Sequence, residues 1–133
     1  MITMKSILAA VLALFLICTV AKADECITPD KFSSAFAKEG ILLLGSKAAA
    51  TEKMAVVFNE NRERNGQPKA EISIFILGLL KKADGEYEVI AAIADKQGCV
   101  VPKSIAIFPI RYWIAFMNKA GVTIDDFVPF DGA

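Results

Sequence analysis

The chain has 133 residues, with 15 lysines and arginines balanced by 15 aspartates and glutamates, and no histidine. That length suits one domain rather than two. The even charge argues against a protein that grips a phosphate backbone through a basic surface. The missing histidine excludes Ser-His-Asp and Cys-His catalysis and histidine-ligated zinc.

The first segment has the three parts of a secretory signal. Lys5 supplies positive charge, residues 7–20 are an unbroken run of apolar and small residues, and Ala21-Lys22-Ala23 places small residues where a signal peptidase reads. The run is short for a membrane span, which needs about 20 residues. Cys18 reads as a passenger within it, because bulky Ile17 stands where a lipid-attachment signal has a small residue. The expectation is a signal peptide over residues 1–23, cleaved after Ala23, and a mature domain over residues 24–133. Lys5 and Lys22 leave with the leader, so the mature chain is slightly acidic and gives no reason to expect nucleic acid or anionic lipid. The expected location is the periplasm or the exterior, with no stable membrane span after cleavage.

Cys26 and Cys99 remain, and an even number in an exported chain suggests a disulfide between them. They form no C-x-x-C pair, so no metal site is expected.

Thr28 or Asp30 is suited to cap a helix with Pro29 in its first turn. Phe32, Ala35, Phe36 and Glu39 follow a helix face, and Gly40 stops it. Ile41-Leu42-Leu43-Leu44 is too short for a helix and reads as a buried strand. Ser46 reads as the cap of a second helix over residues 47–64, rich in Ala, Glu, Lys and Met. Its inner side is expected to hold Ala50, Met54, Val57, Phe58 and Asn61. Val56-Val57-Phe58 carries strand preference and poses the competing reading. Asn65-Gly66 and Pro68 end the element.

Residues 71–80, EISIFILGLL, are apolar on both alternating faces, the mark of a strand covered on both sides. Gly78 within it signals a bulge or a close backbone approach. Asp84-Gly85 between two strand-like runs signals a hairpin. The returning strand is residues 87–94, with Tyr87, Val89, Ala91 and Ile93 expected to point inward. Cys99-Val100-Val101 is expected to open a third strand, and residues 105–108 a short further one. Pro109 opens a helix through Ala120 with Gly121 as its C-cap. Its apolar stripe is Ile110, Trp113, Ile114 and Met117, flanked by Phe116. The tail from Val122 reads as an extended packing arm.

This order predicts a small single α+β domain: N-terminal helices packed on an antiparallel hairpin or meander sheet, with a C-terminal helix. Chemistry is mostly absent. There is no Gly-rich phosphate loop. Alternate strand positions share a face, so Glu86 and Glu88 could pair for acid–base work; a solvated hairpin edge beside Lys81 and Lys82 is the plainer reading. Arg111, Tyr112, Phe127 and Phe130 form the candidate interaction patch, since Arg and aromatic residues are favoured at binding hot spots. Trp113 is expected in the core. No cofactor and no metal are expected. The expected role is a non-catalytic binding or interaction module, its partner another envelope or extracellular protein or a second copy. A small carboxylate-dependent hydrolase or lyase, and a carrier of an apolar ligand, are the alternatives.

Overall fold

The computed structural model describes residues 26–130. The expected leader and its cleavage point lie outside the described residues.

Helix α1 (Pro29–Ala37) starts where the Thr28 hydroxyl accepts from the Lys31 N–H at 3.3 Å, with Pro29 in its first turn. Phe32 and Phe36, one turn apart, are buried on its inner side. Gly40 then adopts φ 78°, which glycine tolerates without strain. Strand β1 is Leu43–Ser46, two residues later than the sequence suggests, with Ile41 buried ahead of it. Ser46 belongs to the strand and is not a helix cap. Its Oγ lies 2.6 Å from Thr51 Oγ1 and accepts from the Phe75 N–H at 2.9 Å. Helix α2 (Ala48–Arg64) therefore has Lys47 at its N-cap and no side-chain cap. Its buried residues are Ala50, Thr51, Met54 and Asn59, with Val57 and Phe58 half-buried and Asn61 exposed. Apolar periodicity misses Asn59 because it is a polar clamp: its amide donates to Ala70 O at 3.0 Å and accepts from Ala70 N–H at 2.8 Å.

Strands β2 (Ile74–Lys81) and β3 (Tyr87–Ala94) pair from Ile74↔Ala94 to Lys81↔Tyr87. Their turn is the expected one: Gly85, at φ 87°, donates to Lys82 O, and Asp84 Oδ1 accepts from the Glu86 N–H, both at 3.0 Å. The strand expected at Cys99 shrinks to a single bridge, Ala94↔Val100. Asp95 Oδ1 takes the N–H groups of Gln97 and Cys99 at 3.0 Å each, which holds that stretch in a turn. A 3₁₀ turn at Pro102–Ser104 leads to β4 (Ala106–Pro109) and then α3 (Ile110–Ala120), closed by Gly121 at φ 72°. On α3, Trp113 and Met117 are buried, while Ile114 is exposed. The tail is a sheet strand: after a 3₁₀ turn at Ile124–Asp126, β5 (Phe127–Pro129) pairs with β1.

The strand order is β4-β3-β2-β1-β5, and all neighbours are antiparallel. With α1 on one face and α2 and α3 on the other, the described residues form an α+β fold of three α-helices and a five-stranded sheet. Covering both faces buries both rows of β3, so Ile90 and Ala92 are as deep as Val89 and Ile93, and Tyr87 is exposed. Gly78 marks close approach and no bulge, since the β2–β3 register runs through it unbroken. A Cβ there would stand 2.5 Å from Leu43 Cδ2 and 2.9 Å from Ile90 Cγ2.

Cys26 is bonded to Cys99 across 73 residues of sequence, with their Cα atoms 5.1 Å apart. Beside the bond, the Val100 N–H donates to Ile27 O at 2.8 Å. No helix of the described residues is long and apolar enough to cross a membrane.

Candidate functional site

Alternation along β3 and β4 turns Ala91 and Ala106 toward the face covered by α2 and α3, and the register sets them opposite each other. Two methyl groups fill little of the space beneath a pair of helices. A groove of about 930 Å³ remains there, within the range of small-molecule sites. Its floor is Phe75, Ala91, Ile93, Ala106 and Phe108; α2 contributes Val57 and Phe58, and α3 contributes Tyr112, Trp113 and Phe116. The rings run in series. Centroids are 5.9 Å apart for Phe58–Phe75, 5.8 Å for Phe75–Phe116, 5.5 Å for Phe116–Trp113 and 6.3 Å for Trp113–Phe108. Such spacings are ordinary for edge-to-face and tilted aromatic packing.

The surrounding loops are pinned. Ser104 Oγ accepts from the Ile93 N–H at 3.0 Å and donates to Val101 O at 2.6 Å, which stitches the 3₁₀ turn to β3. The Asn59 clamp on Ala70 and a 2.8 Å bond from Arg62 Nε to Pro68 O fix the opposite loop onto α2. A groove walled by such elements is largely preformed, which lowers the ordering cost of binding.

Charge is confined to the rim. Of the two acids there, Glu71 pairs with Lys96 at 3.2 Å, and Asp95 is engaged in its turn. Arg62 donates to Pro68 O, its guanidinium carbon 5.9 Å from the Phe58 ring centre. Lys103 and Lys119 have no carboxylate within ion-pair distance among the described residues. The Trp113 indole N–H is buried in the wall with no acceptor among the described residues. The Ser33 hydroxyl, on α1, is likewise buried without a partner among the described residues.

The four residues of the sequence-derived patch are divided by the fold. Arg111 and Tyr112 stay together and exposed at the start of α3, the guanidinium carbon 4.8 Å from the Tyr112 ring centre. Pairing of β5 with β1 turns Phe127 into the core, 5.9 Å from Trp113. Phe130 packs half-buried on the α1 face, over Gly45. Only Tyr112 of the four lines the groove. Glu86 sits exposed in the hairpin turn, and Glu88 is buried at the start of β3 in the row of Ile90 and Ala92, so the two carboxylates stand in different surroundings. Asp126 acts as a local cap, accepting from the Thr123 N–H at 2.9 Å. No group of three or more histidine, cysteine or acidic side chains suited to a metal occurs among the described residues.

Sequence reasoning missed the groove because its floor depends on which alanine faces which. The signal available was the run of small residues at Ala91, Ala92 and Ala94, with Ala106 beyond. Comparison with known proteins finds no matching family model, no matching curated protein and no matching solved structure.

Proposed function

We propose that this chain is an exported, non-catalytic binding module whose working surface is the groove between α2 and α3. The observation that carries the proposal is an aromatic-lined cavity left open on one face of a sheet whose other face is filled. Pinned walls, an apolar floor and polar groups only at the rim are the usual features of a ligand pocket. The ligand class is an apolar molecule or an apolar segment of an envelope or extracellular partner. The Cys26–Cys99 bond agrees with an oxidising compartment, and the proposed leader of residues 1–23 would deliver the chain there. The carboxylate hydrolase draws no support from the groove, since neither Glu86 nor Glu88 is in its lining.

Trp113 is the sole tryptophan and lines the groove, so it reports occupancy directly. Titration with N-phenyl-1-naphthylamine, an uncharged fluorophore, should quench Trp113 saturably and with one site. Ala106→Leu, which places a large side chain on the floor, should weaken that binding by at least about tenfold, as overfilling a preformed pocket does. Non-saturable quenching, or quenching equal in the variant, would count against the proposal. Intact mass of the protein from its host tests export: the expected species is residues 24–133 with no thiol alkylated before reduction.

A further inference from the structure

We infer that the groove takes a free single-chain amphiphile with an anionic head, of the fatty carboxylate class, and this rests on the reading of the groove as a binding site. Two observations select that chemistry. The first is shape. Phe58, Phe75, Phe116, Trp113 and Phe108 follow one another in four steps of 5.5 to 6.3 Å. Phe75 and Trp113 are closed over in this packing, so the surface left to a ligand is that of half-buried Phe58, Phe108 and Phe116 with Ala91 and Ala106 between the elements, and each methylene of a flexible chain buried there adds to affinity.

The second is charge. Both rim acids are engaged, Glu71 by Lys96 and Asp95 by backbone N–H groups. Lys103 and Lys119, both exposed members of the lining, have no carboxylate within ion-pair distance among the described residues, and neither has Arg62, whose Nε is held by Pro68 O. A cation beside a low-dielectric wall attracts an anion more strongly than one in open water. The rim thus complements a carboxylate, and the floor complements its tail. The formal charge of the whole chain is zero, so nothing in the global balance draws the protein to an anionic membrane surface; the ligand is the free monomer.

The test compares laurate with dodecanol, equal in chain length and different in head charge, by Trp113 fluorescence and calorimetry below the micellar range. Laurate should bind at least about tenfold more tightly, a fold-change within reach of two charge-assisted contacts. Lys103→Gln and Lys119→Gln should each weaken laurate by about three- to fivefold, the scale of a partly exposed ion pair, and leave dodecanol unchanged. Both side chains are exposed, and unchanged naphthylamine affinity in each variant shows the groove intact. Equal affinity for the two ligands, or laurate affinity indifferent to both substitutions, overturns the anionic head while the groove stands. Failure of both ligands with naphthylamine still bound overturns the chain-shaped occupant. Failure of all three overturns the binding reading itself. A dimer that Ala106→Leu dissolves, in the absence of any of these affinities, assigns the groove to a second copy and also overturns the inference.

Discussion

The two faces of the sheet are built from the same five strands and packed to different ends. On the α1 face, Phe32, Phe36, Leu43, Ile76 and Ile90 are each 1% exposed or less. Gly45 and Gly78 lack side chains there, and neighbours close over them: Ile74 and Phe130 over the first, Leu43 and Ile90 over the second. The α2/α3 face is as closed at Met54, Leu77 and Val89, each 1% exposed or less, but on its β3–β4 side half-buried Ala91 lies opposite exposed Ala106 and the groove remains. Glycine in a strand invites close approach, while alanine under a splayed helix pair leaves room. The difference teaches that small residues fill or hollow a core according to what stands opposite.

Four variants, with loss of a groove ring as comparator, probe that contrast, beginning with the largest effect. Phe36→Ala removes a ring from the filled face and should cost about 3–5 kcal/mol in urea unfolding. An equal loss from a groove ring such as Phe108, which is half-buried, would erase the distinction between the faces. Replacing Cys26 and Cys99 together by Ala releases a loop of 73 residues, for which chain entropy gives about 4 kcal/mol as an upper figure and about 2–4 kcal/mol as the expected loss. The folded fraction should keep its groove affinity, since neither cysteine lines the cavity. Gly78→Ala places a methyl against Leu43 and Ile90 and should destabilise by about 1–3 kcal/mol through overpacking. Ala106→Leu, the matching insertion on the open face, should shift stability by less than about 1 kcal/mol while weakening ligand binding by at least about tenfold. Similar stability losses from those two insertions would mean that the open face is not open.

Much of the fold was legible in local chemistry. Asp84-Gly85 specified the hairpin, and Pro109 with Gly121 bracketed α3, because turn and cap preferences act over a few residues. The failures are non-local. Ser46 is a good cap residue by type, yet its hydroxyl is held by Thr51 and Phe75, the latter 29 residues away. Strand β5 has three residues and ends in proline, so nothing but its pairing with β1 makes it a strand. That pairing buries Phe127 and separates it from Arg111 and Tyr112. The groove was illegible for the same reason, since Ala91 opposite Ala106 is a property of register. Cys26–Cys99 could be read because it needed only an even count of cysteines beyond the expected leader.

The position of β5 also bears on when the molecule can exist at all. In the strand order β1 lies between β2 and β5, yet β1 is the first strand made and β5 the last of the described elements. Until synthesis passes Pro129, β1 has one bare hydrogen-bonding edge, and the ring of Phe127 is missing from beside Trp113. An emerging chain is thereby kept from completing its sheet early.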